Sequence, residues 1–300
     1  MEAWVALSIV AAAFQTLRFM LQKLLSMGAL SAAGATYARF AYAAPVALIL
    51  AAGYLAWLCQ ALPPLTALFW LYAAIGGLMQ ILATWCVVLL FARRSFAVGI
   101  TFKKTEVIQT ALVGFVVLGD RISLPALGAI VLGLWGVLVL SDMPGLAGGL
   151  LRRLWNRSAG LGLASGALFA VSAVSYRGAT LEVASEDAFL RATVAVAAVT
   201  LMQTVGMGLW LARAEPGQLA RIWGARRQGV WMGLAGLGGS VGWFTAFTLQ
   251  NAAYVFAVGQ VELIFSLLAS VLFFRERVAC REYVGIALLA ASILGLVLLG

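Results

Sequence analysis

The sequence predicts an all-α membrane protein of ten transmembrane helices, arranged as two inverted five-helix repeats. Three observations carry that expectation. Hydrophobic residues make up 64% of the chain and charged residues 10%. Apolar windows of about twenty residues recur from one end to the other, the length a helix needs to cross a bilayer. One pattern of polar residues occurs twice. Soluble domains use about 45–50% apolar and about 25% charged residues, and no aqueous fold could hide the surplus implied by a mean hydropathy of +1.03.

Windows bounded by charge, Gly or Pro place the helices near 3–25, 32–59, 66–92, 95–118, 123–141, 159–180, 187–212, 228–250, 253–274 and 279–299. Each reaches across a hydrocarbon core of about 30 Å at about 1.5 Å per residue. The first lacks a basic leader and is expected to be retained rather than cleaved. It carries Gln15, Arg18 and Gln22 on one face, with Lys23 at its end. The second has Arg39 near its start and Pro45, which is expected to kink it. Gly76-Gly77 in the third, Gly128 and Gly136 in the fifth, and Gly236 with Gly238-Gly239 in the eighth permit close helix approach. The fourth holds Lys103, Lys104, Glu106, Thr110 and Gly114; the sixth, Ser165, Ser172 and Tyr176. Arg191 begins the seventh, and Glu262, Ser266 and Ser270 form a stripe in the ninth. Trp85 and Trp243 sit in the third and eighth, while Trp4, Trp57, Trp155 and Trp223 lie near segment ends and read as interface anchors.

The halves correspond. Ser95-Phe96-Ala97-Val98-Gly99 echoes Val255-Phe256-Ala257-Val258-Gly259, and Glu106 to Asp120 matches Glu262 to Glu276 at a constant offset. Arg39 matches Arg191 in position. The repeats are therefore placed at 1–142 and 159–300, and five helices per repeat, an odd number, force the copies to lie inverted. A polar site is expected at the midplane between such copies. Connections such as Pro63-Pro64, Arg93-Arg94 and Gly119-Asp120-Arg121 are too short to hold a soluble domain.

The formal charge is +9, yet the arginines cluster in loops between apolar segments, so nucleic-acid binding is not expected. Arg93, Arg94, Arg152, Arg153, Arg157, Arg221, Arg226, Arg227, Arg275, Arg277 and Arg281 fall on one side, which the positive-inside rule makes cytoplasmic and which leaves both termini outside. Histidine is absent, removing the commonest general base and metal ligand. Cys59, Cys86 and Cys280 read as small core residues rather than a disulfide or metal framework. No enzyme, cofactor or metal site is expected.

An ionised side chain at the centre of a membrane helix costs roughly 2.5–3.5 kcal/mol on insertion scales, so two carboxylates at matched places imply use or pairing. Lys103 and Glu106 are one turn apart and are expected to form a coupling or structural charge pair. Glu262 has no lysine within a turn of its own helix, which makes it the sharper candidate for substrate or proton binding. Lys104 points from another face and is expected to be free for a ligand. For Arg18 the two readings are anion binding and a structural pair with Glu106 or Glu262. Gln15, Gln22, Tyr176, Trp85 and Trp243 complete the expected substrate-binding set; Arg39 and Arg191, close to helix starts, are expected to snorkel to the interface.

The doubled pattern of an intramembrane Glu followed fourteen residues later by a carboxylate in a turn resembles the drug/metabolite transporter superfamily, in its ten-helix branch of two EamA domains. Where that family typically has Pro after the intramembrane position, this chain has Val107 and Leu263, and its Gly-Glu turn appears as Gly119-Asp120 and Arg275-Glu276. The resemblance implies alternating access around a cavity lined by helices 1, 3, 4, 6, 8 and 9, export of amino acids or other small metabolites, and termini in the cytoplasm, against the charge count. The resulting expectation is a secondary transporter, an exporter in a bacterial inner membrane, for a small polar or amphipathic metabolite such as an amino acid or organic anion. Proton coupling through a buried Glu belongs to that expectation, as do lipid contact and a monomer or homodimer. The alternatives are a non-transporting partner subunit and an intramembrane lipid-handling protein.

Overall fold

The computed structural model describes residues 2–26, 28, 30–91, 103–140, 157–265 and 280–299. Its regular structure is helical, with no strand among the described residues. In chain order the helices are α1 (Ala3–Ser26), α2 (Ala32–Trp57), α3 (Ala67–Phe91), α4 (Glu106–Leu118), α5 (Leu124–Leu140), α6 (Arg157–Leu181), α7 (Ala188–Ala214), α8 (Gln218–Gly224), α9 (Arg226–Leu249), α10 (Ala252–Gly259) and α11 (Cys280–Leu299). Five of them, α1, α2, α3, α7 and α9, are long and apolar enough to cross a membrane. Shorter apolar helical stretches occur at Glu106–Leu118, Leu124–Val137, Ala252–Phe265 and Tyr283–Leu298.

Burial runs opposite to that of a water-soluble protein. Val116, Leu124 and Leu298 are 79%, 83% and 78% exposed, while Arg18, Lys103, Lys104 and Glu106 are all buried. Apolar side chains facing outward are costless only where the surround is lipid, and charged ones must then turn inward to find partners. The chain is a membrane protein.

The helices pack in matched sets. α3 lies along α6 as α1 lies along α9; α4 meets α6 as α10 meets α1; α2 pairs with α7, and α5 with α11. Small residues at these seams let backbones approach, which is how helices associate when hydrocarbon supplies no hydrophobic drive. A Cβ on Gly76 would stand 2.7 Å from the Tyr176 ring, and one on Gly242 would stand 2.9 Å from the Ala11 Cβ. Polar residues just outside the apolar runs start several helices: Ser31 accepts from the Gly34 amide, Asp187 from Phe189 and Leu190, and Asn251 from Ala253. Each satisfies an amide that the first helical turn leaves open.

Several expectations change. The loop expected around 213–227 contains the short helix α8. Trp4 is buried and bonds Glu2 instead of anchoring at an interface, whereas Trp57 and Trp223 are exposed at helix ends as expected. Cys59, expected in the core, is exposed in the turn after α2 with a left-handed φ of 52°. Ser95 to Gly99, Arg93, Arg94, Arg152, Arg153, Trp155, Ser266, Ser270, Arg275, Glu276 and Arg277 lie outside the described residues.

Candidate functional site

Both intramembrane carboxylates stand directly after an interruption in a helix. Lys103 is helical, Lys104 and Thr105 form a turn, and the helix resumes at Glu106; α10 ends at Gly259, Gln260 and Val261 form a turn, and the helix resumes at Glu262. In the second case the Gln260 and Val261 amides bond back to Ala257 and Val258 at 3.2 and 3.1 Å. This is the tighter three-residue spacing that often marks a hinge within a helix. α4 has thirteen residues, so Glu106 lies about 20 Å from the end of that helix at about 1.5 Å per residue, far into a core of about 30 Å.

Four charges meet here. Lys103 Nζ donates to Glu106 Oε1 at 2.9 Å, with both side chains buried. Lys104 Nζ donates to Glu262 Oε2 at the same distance, joining the two halves of the chain. Gln15 Nε2 donates to that same oxygen at 2.9 Å, and Trp243 Nε1 donates to Gln15 Oε1 at 3.2 Å. The expected free lysine is therefore partnered, and the carboxylate without a neighbour in its own helix finds its cation 158 residues away in sequence. Glu106 Oε2 is buried without a hydrogen-bond partner among the described residues.

Next to this cluster lies a central cavity of about 30 Å³, bordered by Gln15, Arg18, Arg39, Gln80, Tyr176 and Trp243. Phe244, Phe247 and Phe256 form an apolar wall, with Tyr176 against Phe244 at 4.2 Å and Trp243 edge-on to Phe256 at 5.6 Å between ring centroids. Among the described residues no carboxylate borders the cavity, while two guanidinium groups do, so its field favours an anion. The volume has room for two or three waters by the usual requirement of about 10–15 Å³ each, too little for a solute, so the bundle is closed to one in this arrangement.

Arg18 Nη1 donates to Gln22 Oε1 at 2.7 Å, its guanidinium lies 3.9 Å from the Phe19 ring centroid, and Gln22 in turn donates to the Ala35 carbonyl. Arg18 has no direct salt bridge to Glu106 among the described residues, while Glu262 lies within electrostatic reach of its guanidinium. Arg39 does not snorkel: it is buried and reaches Thr84 Oγ1 and Ser240 Oγ, each at 3.4 Å. These long contacts to neutral hydroxyls leave its charge without a carboxylate partner among the described residues. Arg191 bonds the Thr180 and Leu181 carbonyls at the end of α6, nearer the expected place.

Tyr176 donates to Gln80 Oε1 at 2.9 Å, and Gln203 Nε2 donates to the same oxygen at 2.9 Å and to the Gly77 carbonyl at 3.0 Å. Gln80, Gln203 and Arg39 lie outside the substrate-binding set expected from sequence, which assigned Arg39 to the interface. Trp85 is not brought to the cavity; it packs against Trp210 at 5.4 Å between α3 and α7. Asp120, the carboxylate closing the first motif, stands 3.2 Å from Arg177, whose guanidinium also donates to the Phe247 and Gln250 carbonyls. Phe247 also borders the cavity, so this pair stands behind its aromatic wall.

No family model matches the chain, and no curated protein matches it. The fold recurs in a solved protein. That crystal structure is 15% identical, aligns over 100% of this chain and 99% of its own, and superposes with a TM-score of 0.67. At that identity the likeness is one of fold.

Proposed function

We propose that the chain is a secondary transporter of the drug/metabolite transporter type, carrying a small anionic or amphipathic metabolite between inverted five-helix repeats by alternating access. The observation that carries this reading is the placement of Arg18 and Arg39 on a small central cavity that no carboxylate borders among the described residues. The exchange symmetry of the packing, in which the principal seams of one half have counterparts in the other, supports the inverted duplication. So does the matched interruption before Glu106 and Glu262. In transporters with such repeats, interrupted helices surround a midplane site.

In this mechanism the aromatic wall excludes water, the arginines hold the carboxylate or phosphate of the solute, and Gln15, Gln80 and Tyr176 orient it. The Lys104–Glu262 pair spans the halves, so opening one face of the bundle separates or strains it. A proton or the solute's own charge then replaces the lost partner, and this links solute occupancy to the conformational exchange.

The test is flux in proteoliposomes against a panel of amino acids and organic anions. Saturable counterflow of at least one anion is expected, reduced by about tenfold or more in Arg39→Gln, as losing a charge-assisted contact of about 1.5–3 kcal/mol requires. A panel with no saturable flux from folded protein, or one whose fluxes ignore Arg39→Gln, sinks the proposal. Sidedness is testable at Cys59, exposed in the turn after α2. In a Cys86→Ser, Cys280→Ser background, the charge count predicts that a membrane-impermeant maleimide labels Cys59 in intact cells. Labelling only after permeabilisation would put the termini in the cytoplasm.

A further inference from the structure

A second and larger hollow opens sideways between α3 and α7. It holds about 430 Å³ and is bordered by Gly77, Leu78, Trp85, Gln203, Gly206 and Trp210. Leu78 and Trp210 are 53% and 42% exposed, so its mouth lies on the apolar flank of the bundle, where lipid tails surround the protein. Among the described residues, Gln203 supplies the one amide side chain on its lining, beside the indoles of Trp85 and Trp210. The volume falls in the range of about 300–1,000 Å³ typical of small-molecule sites, whereas the central cavity is more than tenfold smaller.

The two hollows share a wall. Gln203 borders the groove, Gln80 and Tyr176 border the cavity, and the three side chains are joined by hydrogen bonds of 2.9 to 3.3 Å. Behind that polar partition stand Arg18 and Arg39. The partition is made of side-chain amides and a phenol, which exchange hydrogen bonds with an incoming acid group at little cost. An apolar groove ending at neutral donors, with two buried cations beyond and no carboxylate on either lining among the described residues, has the polarity of an anionic amphiphile read from tail to head.

We propose that the α3–α7 groove receives the hydrocarbon tail of a single-chain anionic amphiphile that enters laterally from the bilayer, with its carboxylate or phosphate directed through the Gln203–Gln80–Tyr176 partition toward Arg39. The head-group half of this assignment rests on the transport reading of the arginine cavity; the tail half rests on the groove alone. Gly206 supplies the free space, since nothing stands within 4 Å of a Cβ built on it.

The experiment uses the full chain in nanodiscs of zwitterionic lipid and 12-bromododecanoate as the probe, whose bromine quenches nearby tryptophan fluorescence. Saturable quenching is expected, lost in Trp85→Phe with Trp210→Phe, and reduced by tenfold or more in apparent affinity in Gly206→Leu. The tail-matched cation 12-bromododecyltrimethylammonium is expected to quench without saturation, and Arg39→Gln is expected to erase the difference between the two probes. A 12-bromododecyl phosphate arm separates phosphate from carboxylate preference. Equal quenching by the cation in the unmodified chain, or saturable quenching that survives Gly206→Leu, overturns the proposal. Met202→Trp is a second groove-filling variant should Gly206→Leu fail to fold. Flux of a short organic anion, measured in the same groove-filled variants, separates the outcomes. Retained flux with no tail binding in the unmodified chain rejects the groove but keeps the transporter, and lost anion flux in every chain rejects the transporter itself.

Discussion

Glu106 and Glu262 stand at the same place in the two halves, each directly after a turn in its helix, yet they are held in different ways. Glu106 is paired with Lys103, three residues earlier, and both side chains are buried. Glu262 is paired with Lys104 of the other half and with Gln15 of the first helix. A pair one turn apart travels with its own segment whatever the halves do. A pair between halves exists only in the arrangement that brings them together. The duplicated carboxylate has therefore split into a local lock and a long-range latch, and only the latch reports on conformation.

Breaking the lock should have the largest effect on stability. Lys103→Met leaves Glu106 buried without its cation, a situation that costs about 3–5 kcal/mol when one partner of a buried pair is removed. Thermal unfolding in detergent should show that loss, and the Lys103→Met, Glu106→Gln double variant should recover much of it. If the single variant melts like the unmodified chain, Lys103 and Glu106 are not the mutually dependent pair described above.

The latch should be the milder of the two in stability and the greater in conformation. Glu262→Gln removes a charge-assisted bond worth about 1.5–3 kcal/mol but keeps the contact to Gln15. Hydrogen exchange around residues 103–106 and 260–265 should accelerate in this variant, while Glu106→Gln should leave the 260–265 segment slow. Equal acceleration in both segments for both variants would erase the distinction between lock and latch.

The rim of the bundle supplies the smallest version of the same contrast. Tyr54 donates to Asp187 Oδ2 at 2.6 Å, tying α2 to the start of α7, while the other Asp187 oxygen caps α7. The Tyr54 hydroxyl, then the Leu190 and Phe189 amides, hold the Asp187 carboxyl below its ordinary value of 3.8 against the opposing effect of partial burial. A lowered native value means that the stabilisation is complete above the ordinary value and disappears as pH falls through the native one. Asp187→Ala should cost about 1 kcal/mol near neutral pH, the usual worth of such a cap. The gap between the variant and the unmodified chain should narrow below the ordinary carboxylate value and close only below the lowered native one. A gap that persists in acid would show that the contribution is not ionic.

How far the site was legible follows the distance over which its contacts form. The Lys103–Glu106 pair was readable from spacing, because three residues along a helix bring two side chains to one face. Gln15, Arg18, Tyr176 and Trp243 were readable as polar or aromatic groups that needed an interior, and the structure brings all four to the cavity. Arg39 was misread because α2 is apolar nearly all round. Such a helix has no stripe to show which face turns inward, and nearness to a helix end then suggested the interface. Trp85 shares a helix with Gln80, yet it turns toward α7, since neighbouring positions on a helix point different ways. Gln203 had no partner in its own segment, and its role as a partition appears only when α3, α6 and α7 meet.

What this sequence determined by itself is the medium and the kind of structure. A chain so apolar, cut into lengths that match a bilayer, must satisfy its backbone internally and turn its few charges away from hydrocarbon. Only the tertiary structure decided which charge meets which, that Lys104 is spent on Glu262, that Arg18 and Arg39 share a closed cavity, and that a groove opens beside it. Those contacts join residues from helices far apart in the chain, and where every helix is apolar, local patterning does not choose the neighbour; the packing of small residues along matched seams does.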